Sequence, residues 1–545
     1  MARMRREDDE APLRPDQEAT RVLFVASEVF SLAKTGGLAD VCAALPQALA
    51  RRGTDVRLLL PGYPEAMDRI VASHVVADLG EVLPGAPVKL VQGWTPSTAL
   101  PVWLVDCPPL FDRQGTPYLD PDGNPWADNA SRFGLLCHVA ARIALGRAGL
   151  AWQPDIVHAH DWHAGLVPLL IRLAGQSCPR TVFTVHNLSF QGNFPLADAE
   201  RLDLPAEVLN PEGIEFFGQV SFLKAGILYS DRVTTVSPTY AREILTPAFG
   251  HGMDGLVATR GADLLGIMNG IDADVWNPAN DPHLPRNYSL DDPSGKQACK
   301  LQLQQQLGLQ LDPTAPLVVS VSRLTWQKMA DVLLEQLPDM LARHPRLQLA
   351  LHGRGDRAIE EGFEQIARDY PGRVAVDIGY DEAHAHRLHA GADILLHGSR
   401  FEPCGLAQLY AMRYGTIPVV SRVGGLADSV VDADADRESA TGFVFDETTG
   451  EGLVAALDRC VHVYQSQPDV WSDLRRHAMS RDSGWSSSAG QYEDLYAGLL
   501  PPRAPTWPLV EGSIAAEVIR IPTRIRRRRL AKRSRAVKAV VQQPL

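Results

Sequence analysis

The chain has 545 residues, of which 45% are hydrophobic and 22% charged, a balance that excludes a collagen-like, mucin-like or wholly disordered protein. That length exceeds the roughly 250–300 residues at which a single hydrophobic core stops growing, so two domains of about 230–260 residues each are expected. The formal charge is −12, yet residues 518–545 hold ten basic residues and no acid, which leaves 43 basic against 65 acidic residues, or −22, in the rest. So acidic a body argues against nucleic acid as the main ligand.

Residues 1–20 are polar throughout and lack an apolar run, so they read as a disordered leader and not as a signal peptide. Short β-branched runs then alternate with helical stretches. Strands are expected at 21–26, 55–60, 102–106, 155–158, 181–185 and 233–236, and helices at 38–51 and 132–147. The strands are almost continuously apolar, as in a parallel sheet buried on both faces. Residues 277–316 are rich in Pro, Asp and Asn, with one helical stretch at 295–307, and mark a domain junction. A second strand series follows at 317–321, 347–351, 374–378, 394–396, 417–420 and 443–445. A last helix at 484–500 is stopped by Pro501 and Pro502. Residues 501–545 read as a solvated basic tail. Strand–helix alternation in both series indicates an α/β protein of two doubly wound domains.

Seven cysteines, at 42, 107, 137, 178, 299, 404 and 460, show no metal spacing and suit a reducing cytoplasm. No run of 18 apolar residues exists, so no membrane span is expected.

Five segments carry groups able to do chemistry. In Lys34-Thr35-Gly36-Gly37-Leu38-Ala39-Asp40, paired glycines open a helix beside a lysine, which suits a phosphate. The same Gly-Gly-Leu-Ala-Asp recurs from Gly424 and Gly425 to Asp428. His158-Ala159-His160-Asp161-Trp162-His163 nearly matches a two-metal hydrolase pattern, with a packed, hydrogen-bonded turn as the alternative. Asp161 ends a strand, where α/β sheets bind ligands, and His186 ends the next. Arg323 and Lys328 together suit a diphosphate, as a fork and a point charge. In Ser399-Arg400-Phe401-Glu402-Pro403-Cys404, Glu402 precedes a proline that suits a first helical residue. Its carboxylate could bind sugar hydroxyls or face developing positive charge. A Cys404 nucleophile is the less favoured reading there.

Taken in order, KTGGLADV (34–41), HAHDWHAGL (158–166), FTVHNLSFQG (183–192), GQVSFLKAGI (218–227), TTVSPTYARE (234–243), NGID (269–272), SRLTWQK (322–328), SRFEPCGLAQLYAMRYGTIP (399–418) and GGLAD (424–428) resemble the bacterial glycogen synthases and plant starch synthases, glycosyltransferase family 5. The resemblance spans roughly residues 21–500. It implies the GT-B fold: two Rossmann-like domains, 21–275 and 276–485, facing across a cleft, with the last helix returning to the first. It implies transfer of glucose from ADP-glucose to the non-reducing end of an α-1,4-glucan such as glycogen, with retention, without an essential metal or other cofactor. By the same resemblance, Lys34, Gly36 and Gly37 contact the donor's phosphates, and Arg323 and Lys328 neutralise the leaving diphosphate. Tyr380 stacks on adenine. Glu402, with the backbone of Cys404, Gly405 and Leu406, contacts the glucosyl group, and Gly424 and Gly425 belong to the donor site. Asp161, His186 and Asn269 line the sugar site beside Trp162.

The chain departs from that pattern in three places. Met329 stands where the family continues QK with glycine, His397-Gly398 replaces Val-Pro, and 351–356 is a variant of a small-residue turn. A UDP-sugar enzyme on the same fold, a metal-dependent hydrolase and a non-catalytic glucan binder remain the competing readings. The oligomeric state is left open.

Overall fold

In the computed structural model, residues 19–175 and 178–501 are described, and both the expected leader through residue 18 and the basic tail beyond 501 lie outside them. Two large sheets organise these residues, beside a small three-stranded one of Asn193–Pro195, Gln219–Ser221 and Glu215–Phe216. The first has nine strands in the order Leu264–Gly266, Arg232–Thr235, Arg180–Val185, Ile156–His160, Arg21–Val25, Asp55–Pro61, Pro101–Asp106, Ala86–Trp94 and Val71–Leu83. The second has six, in the order Val374–Ile378, Gln348–Gly353, Leu317–Val321, Ile394–His397, Ile417–Ser421 and Phe443–Phe445. All six expected strands of the second series form, within two residues of their expected ends.

The first sheet is not wholly parallel, which corrects the expectation. Val71–Leu83 and Ala86–Trp94 form an antiparallel hairpin, and the latter also pairs antiparallel with Pro101–Asp106. The outer strand is mostly exposed and broken by register shifts, features that protect a sheet edge from pairing with other chains. Its partner alternates buried and exposed residues. A search for continuous apolar runs finds doubly buried strands and passes over such edge strands.

In both sheets the chain starts near the middle and then builds outward in two directions. In the first, Arg21–Val25 is flanked by Asp55–Pro61 and Ile156–His160, both parallel to it. In the second, Leu317–Val321 lies between Gln348–Gly353 and Ile394–His397. The strand order reverses at these central strands, and the crevice at their carboxyl ends is where such sheets bind ligands. The loops leaving the four strands at the two reversals carry Lys34, Asp161, Arg323 and Glu402. Val22, Leu23 and Val25 are fully buried in the first core, each contributing about 1.5–3 kcal/mol relative to exposure. The loops thus rise from the buried centre of each sheet, where Leu317, Val318 and Val319 are likewise fully buried.

The described residues belong to one compact unit. The last helix, Ser486–Leu499, buries Tyr492 and Tyr496 in the core of the first sheet, and the Tyr496 hydroxyl lies 2.8 Å from His158 Nδ1. The chain reaches it through a close backbone crossing: a Cβ on Gly270 would lie 2.7 Å from the Gly484 carbonyl carbon. Among the described residues no helix is long and apolar enough to cross a membrane.

Candidate active site

The helix Gly37–Arg51 begins at the second glycine of the KTGG loop, with Gly36 and Gly37 exposed. The loop is held from below by buried Glu28, a residue that no motif points to. Its carboxylate accepts from the Thr35 and Gly36 N–H groups and the Thr35 hydroxyl, and from the Tyr118 hydroxyl on its other side. Lys34 Nζ lies 2.8 Å from Asp40 Oδ1 and 2.8 Å from Glu382 Oε2. Burial pulls its pKa down, but the two carboxylates outweigh burial and hold the ammonium above its ordinary value. Glu382 begins the helix Glu382–Gly391 beside the second sheet, so this ion pair spans the cleft.

Asp161 is buried with φ +54° and ψ −178°, a backbone region that is essentially glycine's. Strain of about 1–3 kcal/mol persists only where the surroundings over-determine it. Here they do: the Asp161 N–H donates to the Thr184 carbonyl at 2.9 Å, and Oδ1 accepts from the His186 N–H at 2.7 Å. Burial pushes its carboxyl up to about 7. His186 Nε2 is 3.0 Å from His160 Nδ1, and burial lowers the His186 pKa to about 3. Trp162 packs edge-on against Phe133, and Gly192, at φ +57°, makes room for it: a Cβ there would lie 2.5 Å from the indole.

The histidine cluster is a packed turn. His158 places its second nitrogen, Nε2, 2.6 Å from Thr184 Oγ1, and its ring and that of His160 lie against Phe24. A different group, His352, Asp377 and His384, brings its ligand atoms within 4.8 Å of one another. Both nitrogens of His352 are already engaged, Nδ1 with Asp377 at 2.9 Å and Nε2 as acceptor of the Asp381 N–H at 3.1 Å.

On the second sheet, Glu402 is buried and its Oε2 takes three donors: Lys328 Nζ, the Ser399 hydroxyl at 2.9 Å and His397 Nε2 at 3.3 Å. Burial tends to raise its pKa, but Lys328 and His397 reverse the sign and hold it well below the ordinary range. Lys328 is thus spent on Glu402, whereas Arg323 is exposed and, among the described residues, its guanidinium donates to Gln327 alone, at 3.0 Å. Tyr380 is 72% exposed, with the Lys34 ammonium 5.9 Å from its ring centre and its hydroxyl donating to Glu382 at 3.1 Å.

Two expectations need correction. Pro403 is not a first helical residue: the helix is Ala407–Arg413, and Glu402 stands in the loop before it, which turns through Gly405 at φ +73°. Gly424 and Gly425 do not leave an open anion site. The Gly424 N–H donates to Glu243 Oε1 at 2.9 Å and the Gly425 N–H to the Glu402 carbonyl at 3.0 Å. They serve close packing instead, since Cβ atoms there would lie 1.9 Å from the Glu402 carbonyl oxygen and 2.2 Å from that of Cys404. Cys404 is buried, and burial pushes its thiol up to about 12, away from the thiolate that a nucleophile needs.

The two halves are joined at this point. Ser237 Oγ donates to the Pro403 carbonyl at 2.7 Å, and the Thr239 N–H and hydroxyl donate to Asp428 at 2.7 and 2.6 Å. Buried Tyr240 lies in the electrostatic field of both Asp161 and Glu402. Asn269 is buried with Oδ1 unpartnered. Ser237, Thr239 and Glu243 fall within TTVSPTYARE, whose place in the resemblance was their only signal.

Residues 21–259 match the family described as starch synthase catalytic domain, and residues 304–472 that described as glycosyl transferases group 1. The glycogen synthase of Burkholderia thailandensis is 64% identical over 484 residues, covering 88% of this chain and 91% of the relative. The chain belongs to the glycogen and starch synthase family. The Ralstonia nicotianae glycogen synthase is 51% identical over 90% of the chain and 91% of its own length. The catalytic domain of starch synthase IV from Arabidopsis thaliana, bound to ADP and acarbose, superposes with a TM-score of 0.80 at 33% identity, covering 88% of this chain and 99% of that domain. The fold is GT-B.

Against the family pattern, Met329 keeps the backbone that glycine would favour, at φ +53° and ψ 28°, while its side chain is buried. Left-handed backbone costs a non-glycine residue about 1–2 kcal/mol. Removing a buried methionine costs about 2–5 kcal/mol. Burial wins, so Met329→Gly is expected to destabilise the protein by about 1–3 kcal/mol, read as a lower denaturant midpoint; a raised midpoint would show that backbone strain dominates.

Proposed function

We propose that the chain transfers glucose from ADP-glucose to the non-reducing end of an α-1,4-glucan, with retention, in the cytoplasm, and that it does so between domains 21–275 and 276–485. The observation that carries this reading is the convergence of both strand-order reversals on one cleft, spanned by the Lys34–Glu382 ion pair at 2.8 Å. Each sheet therefore brings cations and acids to the cleft: Lys34 and Asp161 from the first, Arg323, Lys328 and Glu402 from the second.

In this reading Tyr380 stacks on the adenine. Lys34, the Gly36-Gly37 helix start and Arg323 take the diphosphate, with Lys328 adding charge from beside Glu402. Cations and helix dipole meet the departing charge, so the reaction needs no metal. Glu402 and the Cys404-Gly405-Leu406 backbone hold the glucosyl group, while Asp161, His186, Asn269 and Trp162 line its other side. The glucosyl–phosphate bond breaks through an oxocarbenium-like state. The acceptor hydroxyl attacks from the same face, its oxygen forming the new bond as its proton passes to the leaving phosphate. The donor exchanges Lys34's carboxylate partners for phosphate, which couples binding to cleft movement.

Transfer from ADP-glucose to glycogen is expected to persist after chelation, whereas preference for UDP-glucose would overturn the donor assignment. A second expectation concerns Asp161. Its folded pKa of about 7 lies above the ordinary 3.8, so its stabilising effect is complete below pH 3.8 and is lost as pH rises through about 7. If its carboxylate receives a sugar hydroxyl, kcat rises through that same range. Asp161→Asn should remove this limb from the pH–rate profile, and an unchanged limb would assign it to another group.

A further inference from the structure

We propose that His397 is a positioning residue that fixes the orientation of the Glu402 carboxylate. This rests on the reading of Glu402 as a glucosyl contact and extends it.

His397 is the last residue of the strand Ile394–His397 and is 4% exposed. Its Nε2 lies 3.3 Å from Glu402 Oε2. Oε2 belongs to an ionised carboxylate and can only accept, so Nε2 carries the proton and donates. The same oxygen receives Lys328 Nζ and the Ser399 hydroxyl at 2.9 Å. Oε1 takes no hydrogen bond from any described residue, and it is absent from the buried atoms without partners. Three donors therefore grip one oxygen and leave the other presented to the cleft. Lysine is flexible and a hydroxyl rotates, whereas the imidazole is a rigid plane on a strand end. Of the three, His397 best defines the direction of the grip.

The neighbourhood is built around this ring. A small cavity adjoins it, lined in part by Ser320, Lys328, Met329 and Gly398. A Cβ on Gly398 would lie 3.2 Å from the Met329 sulfur, so the Met329 side chain packs where the family's proline would stand. Two of the three departures from the family pattern, Met329 and His397-Gly398, are thus one packed group behind Glu402.

The test compares His397→Gln with His397→Leu in the full chain. Both fill much of the ring's volume, but only glutamine can donate to Oε2. Kinetics with ADP-glucose and glycogen, ADP binding and thermal midpoints are measured together. His397→Leu is expected to lower kcat roughly tenfold or more, with KM for ADP-glucose and ADP affinity changed less than about twofold. His397→Gln should recover most of kcat while sharing the thermal midpoint of the leucine variant. Equal kcat in both variants, or a loss tracking the midpoint alone, would overturn the positioning role. A wild-type chain without transfer activity would instead overturn the reading of the site itself.

Discussion

A Glu402→Gln variant is expected to bind ADP with nearly unchanged affinity while kcat for glucosyl transfer falls by about two to three orders of magnitude. In the proposed reading the carboxylate meets the glucosyl group and not the nucleotide, so the loss belongs to the transition state. The substitution also has a structural cost. Lys328 would be left without its counter-ion at a side chain only 11% exposed, and an uncompensated buried charge costs about 3–5 kcal/mol. Adding Lys328→Met to Glu402→Gln separates the effects: the denaturant midpoint should recover while kcat does not. The pH dependence follows from the sign of the shift. Glu402 titrates below its ordinary 4.5 when folded, so it stabilises the protein above about pH 4.5 and loses that contribution as pH falls towards the folded value. The variant should lack that part of the acid-unfolding slope. A Glu402→Gln enzyme with wild-type kcat would remove Glu402 from the chemistry.

Lys34→Ala is expected to lower kcat/KM for ADP-glucose by about two to three orders of magnitude. A charge-assisted hydrogen bond is worth about 1.5–3 kcal/mol, and in the proposed reading the diphosphate offers Lys34 more than one oxygen. Without substrate, the same change leaves Asp40 and Glu382 facing each other across the cleft with no cation between them. Lys34→Ala combined with Glu382→Gln relieves that repulsion. Calorimetry should show its stability restored and its ADP affinity still weak. Full recovery of affinity in the double variant would mean that Lys34 acts only as an interdomain strut.

Much of this site was readable before any coordinate was known. Lys34, Asp161, His186, Arg323 and Glu402 all follow apolar strand runs, and a parallel sheet delivers the residues at its strand ends to one edge. What the sequence left unread falls into two groups. The hairpin Val71–Leu83 with Ala86–Trp94 has one mostly exposed edge strand, so its composition resembles a loop. Glu28, Glu243 and Glu382 are acids whose partners lie 7, 181 and 348 residues away. Nothing local distinguishes them from solvated surface carboxylates. Gly424 and Gly425 were misread for the same reason: a helix-opening glycine pair has one local signature whether it meets a phosphate or another backbone.

From sequence alone came the acidic body, the two strand series, the family and residue types suited to a diphosphate and a sugar. These are properties of short windows, written in hydrophobic period and local spacing. Tertiary structure decided which of those residues were already occupied. Lys328 is committed to Glu402, Lys34 is shared between two carboxylates of opposite halves, and of the three cations Arg323 alone has no acidic partner among the described residues. Charge state, strain at Asp161 and the three-donor grip on Glu402 depend on atoms a few ångströms apart in space and far apart in the chain. Coulombic and hydrogen-bond energies fall with that spatial distance, so they enter only once the chain has folded.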